Sequence, residues 1–293
     1  MPKICRLRTQ IASRVLLPLL CCTASFCIAK EELIWLGADF PPAFIKKGPN
    51  ANQGHIDKIE QYLKHRLSEY QHSSENANFS RILTSLKSRS DACSAALFKT
   101  PEREKYIEFS KPIYLILSNG IIFKRSSLAK FRPFIDQDKS ISLSKVLQSK
   151  KTVLGISNNR SYGNQLNAII NQYRDTSAVY HRSGSNQLEG LLQMLQFNRI
   201  DYLIGYFNEL QYVARQQGIN PNELVFYPAS ELHTPYILGY IGCSKSKQGR
   251  QVIRSINQQL DSIRKQFVQY YAYWLDKPTQ KLHRELTERY FKQ

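Results

Sequence analysis

The chain has 293 residues, with 41 Lys or Arg against 23 Asp or Glu and a formal net charge of +18. That length supports one large domain or two lobes of about 100–150 residues each, and the charge alone admits nucleic acid or an anionic membrane face as partner. No HExxH, GxSxG, Walker or GxGxxG pattern is present, and the six histidines are scattered without metal-ligand spacing, so no metal or cofactor is expected.

Residues 1–29 carry Lys3, Arg6, Arg8 and Arg14 and no acid, followed by the apolar run from Val15 and small residues ending at Ala29. This reads as a secretory signal peptide cleaved after Ala29. An uncleaved anchor is the alternative, weakened by Pro18 and by a run short of the roughly 20 apolar residues that span a bilayer. A lipoprotein fits less well, because Cys21 and Cys22 follow Leu19-Leu20 rather than small residues. Export to the periplasm is the expectation. Cys5, Cys21, Cys22 and Cys27 leave with the leader, and Cys93 and Cys243 remain. Two cysteines in an oxidising compartment point to one disulfide, against two inert buried thiols.

Residues 33–38 (LIWLGA) predict a buried strand, broken by Asp39-Phe40-Pro41-Pro42. Residues 46–54 are a polar turn. Ile56, Ile59, Leu63 and Leu67 define an amphipathic helix, and 70–78 reads as a hydrophilic loop. Phe79, Ile82, Leu83 and Leu86 fall at i, i+3, i+4, i+7 of a second helix. The apolar, small-sided 91–98 (DACSAALF) then predicts a strand of a parallel sheet. Thr100 is placed to cap a short helix with Pro101 at its first position, which sets Arg103 on the first turn beyond the strand's carboxyl end. Ligands of open α/β sheets gather at that edge, and a guanidinium there can hold a carboxylate through two parallel bonds. FSKPIYLILSNGIIF (109–123) is too apolar for a surface loop and reads as chain leaving one lobe for another.

The run D-x-C-x-A-A-L-x-x-T-P-E-R-E-K-x-I-x-F-S-K-P-I-Y resembles the signature of extracytoplasmic solute-binding proteins of family 3, and weaker matches extend from about Leu33 to the C-terminus. The resemblance implies the two-lobed type II periplasmic-binding-protein fold, with a receptor that serves an ABC importer or a membrane sensor. It implies that the strand returning from lobe II lies beside the one carrying Cys93, so that Cys93 and Cys243 can bridge. It implies a ligand-stacking aromatic at Phe40, against a packed loop aromatic. It assigns Arg103 to a ligand carboxylate, against a surface arginine paired with Glu102 or Glu104. Two positions depart from the amino-acid binders. Phe98 stands where Ser or Thr helps hold a ligand ammonium, and Tyr206 stands where an Asp does so. An ammonium left unpaired in a closed cleft is costly, so the departures favour an acidic or aromatic ligand packed on Phe98 and Tyr206, with strand-end packing as the plain alternative for both.

The second lobe repeats the pattern. TVLGIS (152–157) is a strand, and Arg160-Ser161-Tyr162 precedes the helix NQLNAIINQY, with Ser161 the expected N-cap. In the family this helix start faces the ligand, which adds Arg160, Ser161 and Tyr162 to the candidates; a solvated loop charge is the alternative for Arg160. LEGLLQMLQFNRIDYLIGYF echoes FSRILTSLKSRSDACSAALF, helix then Asp then strand, and Asp91 and Asp201 are read as strand-start turn residues. Residues 220–222 form a turn, 223–230 begin a second crossing, and 235–246 return as a strand ending at Ser244. Residues 248–276 read as helix through Ile253, Ile256, Leu260, Ile263 and Phe267, and the aromatics from Tyr270 to Trp274 cover lobe I. Residues 244–293 hold eleven Lys or Arg against four acids. A solvated helical surface or attraction to anionic membrane faces fits this better than nucleic acid, for which no recognition motif exists.

The expected architecture is α/β in two lobes, each a mixed, mostly parallel sheet flanked by helices. After the leader (1–29), lobe I takes 30–117 and 237–293 and lobe II takes 118–236, joined by two hinge crossings. The expected function is a monomeric, non-enzymatic receptor for a small polar, acidic or aromatic solute, feeding an ABC permease. Three alternatives stay open: a sensor without transport, a structural exported protein, and a same-fold enzyme similar to the cyclohexadienyl dehydratases, for which Asp39 or Glu209 would supply the acid.

Overall fold

The computed structural model describes residues 30–158, 160–183 and 187–292; the leader read at 1–29 lies outside them. β1 (Glu32–Gly37) alternates its side chains between two cores, Leu33 and Trp35 on one face, Ile34 and Leu36 on the other, as a strand covered on both sides must. α1 (His55–Arg66) buries Ile56, Ile59 and Leu63. Residues 71–76 correct the reading of 70–78 as a loop. They form β2 (Gln71–Asn76), parallel to β1 from Glu32↔Gln71 to Gly37↔Asn76. β2 lies at the sheet edge with most of its side chains in water, so nothing in QHSSEN alternates in hydropathy.

α2 (Phe79–Ser88), capped by Asn78, leads into β3 (Ala92–Leu97), the four-residue α3 (Pro101–Glu104), β4 (Ile107–Phe109) and β5 (Tyr114–Leu117). β6 (Gly120–Lys124), α4 (Leu128–Phe131), α5 (Leu143–Gln148), β7 (Leu154–Ser157), α6 (Asn164–Tyr173), β8 (Val179–Arg182), α7 (Gln187–Gln196), β9 (Tyr202–Gly205), α8 (Phe207–Gln216) and β10 (Leu224–Pro228) follow. β11 (Tyr236–Ser244) then precedes α9 (Lys247–Asn257), α10 (Leu260–Ala272) and α11 (Lys277–Phe291). The single helix expected over 248–276 is thus two, and α11 is a third. Asp276 accepts from Thr279 N at 3.0 Å with Pro278 in the first turn, a start signal that apolar spacing alone passes over.

The first sheet runs β2-β1-β3-β11-β4, with β5 also on β11; the second runs β10-β6-β9-β7-β8. Both are mixed. Every antiparallel pairing involves β6 or β11, the strands that carry the chain between sheets, while β1–β3 and β7–β9 pair in parallel. The chain passes to the second sheet through Ser118-Asn119 and returns between Pro228 and Tyr236. Cys93 and Cys243 face each other in the β3–β11 register with Cα atoms 4.0 Å apart, and their sulfurs are bonded. Asp91 and Asp201 serve the strand starts. Asp91 pairs with Arg89 at 3.0 Å, and Asp201 accepts from Val153 N at 2.8 Å and from Lys130 at 2.6 Å.

Candidate ligand site

Because β1, β2 and β3 are parallel, their carboxyl ends share one edge of the first sheet, and the loops leaving them carry Phe40, Phe79 and Phe98. All three rings are exposed, by 38%, 46% and 46%, where a folded chain usually hides such surface. Phe40 meets Phe79 edge to face at 6.1 Å. Phe79 corrects the reading that placed it on the buried face of α2. It is the first residue of that helix, and no helical turn precedes it to cover its ring.

Arg103 stands at the same edge. Thr100 Oγ1 accepts from Arg103 N at 3.3 Å, which fixes the turn, and Arg103 Nη1 donates to the Phe98 carbonyl at 2.7 Å. The neighbouring acids are taken: Glu102 pairs with Lys105 at 2.5 Å and Glu104 with Lys99 at 2.7 Å. Arg103 therefore has no carboxylate partner among the described residues, and a half-buried guanidinium so placed is poised for an external anion.

In the second sheet β7 and β9 are parallel, so Arg160, Ser161 and Tyr162 after β7 lie at the same edge as Tyr206 and the start of α8 after β9. Arg160 is neither a free ligand cation nor a solvated loop charge. Its Nη1 and Nη2 donate to Glu209 Oε1 and Oε2 at 2.9 and 2.5 Å, with side-chain exposures of 22% and 13%. The guanidinium also lies 5.7 Å from the Tyr162 ring centroid. Glu209, weighed from the sequence only as an acid for catalysis, is thus the ion-pair partner of a candidate residue. Burial drives the Tyr162 and Tyr206 hydroxyls above the ordinary phenol range, so both are neutral at pH 7.

Tyr162 is buried in the second core, and its hydroxyl accepts from Ser157 N at 2.9 Å, bracing the β7–α6 turn from within. Ser161 is not the N-cap of α6; Gly163 is, at φ +96°, a conformation that suits glycine. Ser161 Oγ instead accepts from Asn167 Nδ2 at 2.8 Å and Gly163 N at 3.3 Å. Asn119, in the crossing, donates to Tyr162 O at 3.2 Å and ties the turn to the hinge segment. The candidates therefore fall in two groups, Phe40, Phe98 and Arg103 on one sheet edge and Arg160, Ser161, Tyr162 and Tyr206 on the other. No hydrogen bond, ion pair or ring contact among the described residues joins the groups. A separate groove of about 870 Å³, walled by β10 and α11 and lined by Arg125, Phe226, Pro278, Leu282 and Arg289, contains none of these side chains. No metal-ligand cluster and no helix able to cross a membrane occurs among the described residues.

The family described as bacterial extracellular solute-binding proteins, family 3, matches residues 34–277. No curated protein matches the chain in sequence. Among solved structures, a substrate binding domain assigned to an amino acid ABC transporter of Streptococcus pneumoniae aligns at TM-score 0.57 and 14% identity, over 84% of this chain and 100% of that one. Substrate binding domain 2 of GlnP from Lactococcus lactis, in an open conformation, aligns at 0.56 and 15%, over 84% and 96%. A histidine kinase sensor domain similar to periplasmic binding proteins aligns at 0.51 and 14%, over 84% and 96%. At such identities the likeness is one of fold.

Proposed function

Since the match spans most of its length, the chain belongs to the bacterial extracellular solute-binding proteins of family 3, and from that premise we propose that it is an exported receptor that captures a small acidic or aromatic carboxylate between two lobes and delivers it to an ABC importer. Lobe I comprises 30–117 and 237–293, and lobe II 118–236. Arg103 receives the carboxylate, Phe40, Phe79 and Phe98 pack the ligand body, and the Arg160–Tyr162 turn with Tyr206 closes over it from lobe II. Closure about the two crossings then sequesters the ligand. The observation that carries this reading is the state of Arg103: a guanidinium with no acidic partner, at a parallel sheet's carboxyl edge, beside three exposed rings.

The protein performs no chemistry on its ligand. The acids weighed for catalysis are otherwise engaged, Glu209 with both oxygens on Arg160 and Asp39 exposed to water on a loop bond to Lys46 N at 3.3 Å. A second reading, ligand sensing without transport, draws support from the sensor domain that shares the fold.

The test is a thermal-shift screen of residues 30–293 against monocarboxylates, dicarboxylates, aromatic acids, amino acids, sugars and polyamines. A ligand that binds only the native state raises the melting temperature by mass action. The expected result is a shift by one or more carboxylates that Arg103→Ala abolishes while keeping the ligand-free melting temperature. A hit among sugars or polyamines, or a carboxylate shift that survives Arg103→Ala, contradicts the assignment.

A further inference from the structure

The two sheet edges differ in charge, and the difference bears on what the site accepts; the argument rests on the receptor reading above. On the first edge Arg103 is uncompensated. On the second, Arg160 is the cation of the turn, and Glu209 cancels it through two parallel bonds that are largely shielded from water. The tyrosines there, Tyr162 and Tyr206, are neutral. We propose that Glu209 is a specificity-determining residue: by neutralising Arg160 it leaves the Arg160–Tyr162 turn without net charge, so that the closed site selects a ligand bearing one negative charge and an uncharged body, a monocarboxylate, over both dicarboxylates and zwitterionic amino acids.

Each exclusion has a physical basis. A second ligand carboxylate would need Arg160, and taking it would strand Glu209 as an unpaired, largely buried anion, which is strongly unfavourable. A ligand ammonium would need a carboxylate, and the carboxylate on lobe II already has both oxygens committed to a planar guanidinium whose geometry matches them. The other acids near the candidates, Asp39, Glu102, Glu104 and Glu189, are exposed, and water and salt screen an exposed carboxylate to little net attraction. Arg160 is held by Glu209 and by the Tyr162 ring, which is itself fixed where its hydroxyl accepts from Ser157 N, so the pair is a fixed part of the turn.

The experiment uses ligands of one shape and different charge: 3-phenylpropionate, L-phenylalanine and benzylmalonate, with butyrate, 2-aminobutyrate and ethylmalonate as a smaller set. Affinities are measured calorimetrically on residues 30–293 for wild type, Glu209→Gln and the doubly neutral Arg160→Gln/Glu209→Gln. In wild type the monoanion of a set binds at least about tenfold tighter than its zwitterion and its dianion. Glu209→Gln, which frees the Arg160 charge, raises the affinity of the dianion relative to the monoanion by at least about tenfold. The double variant restores the wild-type ranking, an outcome that a merely structural Glu209 does not produce. Equal or tighter binding of the zwitterion to wild type overturns the inference, and its loss in Asp39→Asn would place the ammonium on that residue; the receptor reading survives either result. A uniform loss across the three charges in Glu209→Gln also overturns it. If a cooperatively melting wild type binds none of the six, this inference fails, while the receptor reading is decided by the wider screen above.

Discussion

His55 and His283 are buried titratable residues that the proposed site does not use, and they set how stability responds to acid. Desolvation lowers His55 to about 3, where it packs edge-on against Phe267 and Tyr271. Desolvation likewise lowers His283 to about 4, opposed by its bond to the Leu115 carbonyl at 2.9 Å. Both are neutral in the native state, whereas in the unfolded chain they protonate near 6.5. The unfolded state then binds more protons, so their contribution is complete above about pH 6.5 and falls away as the pH drops toward 4, by up to about 1.4 kcal/mol per pH unit for each residue. Chemical denaturation between pH 7 and 4.5 should show this slope, and His283→Gln should flatten it; a slope unchanged in that variant would assign the acid sensitivity elsewhere. Legibility differs just as sharply from residue to residue. Arg103 could be found from the sequence because Thr100, Pro101 and the preceding strand are its immediate neighbours, and local capping rules place it. The partner of Arg160 could not, because Glu209 lies 49 residues away and comes to it only through the parallel pairing of β7 and β9.

Elements were legible where their apolar faces were. The small apolar run of β3 and the helical spacing in α1 and α2 announce themselves because each buries a face against a core. β2 did not, since an edge strand needs only one neighbour and keeps most of its side chains in water. α11 did not either, although Asp276, Pro278 and the Thr279 amide spell out a helix start. Asp276 is buried, caps Thr279 N at 3.0 Å and lies 3.9 Å from Arg125, which lines the same groove. Asp276→Ala should therefore destabilise the protein by about 1–2 kcal/mol through the lost cap alone. Asp276→Asn keeps a capping oxygen and removes the charge, and should recover most of that loss in urea denaturation. If it does not, the ion pair with Arg125 matters more than the cap.

For the whole molecule, the decisive fact is that one chain builds two sheets and crosses between them twice. β11 binds that arrangement together: it carries the chain back from the second sheet, pairs with β3, β4 and β5, and places Cys243 opposite Cys93. The bonded cysteines are 150 positions apart in sequence, and every strand of the second sheet lies between them. Cross-linking a loop of that length restricts the unfolded chain strongly, and loss of such a bridge costs about 2–5 kcal/mol. For a protein of this size that corresponds to a fall of roughly 5–15 °C in melting temperature. The proposed site should feel little of it. Phe98 and Arg103 are fixed by the end of β3 and the Thr100 turn, and Arg160 by Glu209 on the other sheet, none of them through the sulfurs. The variant with Cys93→Ala and Cys243→Ala should accordingly melt well below the oxidised wild type while keeping ligand affinity within about twofold at 25 °C, as expected when a change acts mainly on the unfolded state. Equal melting temperatures would mean that strand pairing alone holds β3 and β11 together. A large loss of affinity would show instead that the bridge sets the position of the Arg103 turn, in addition to the contacts that already join the two lobes, Arg215 Nη2 to the Tyr273 carbonyl at 3.0 Å and Arg125 to Asp276 at 3.9 Å.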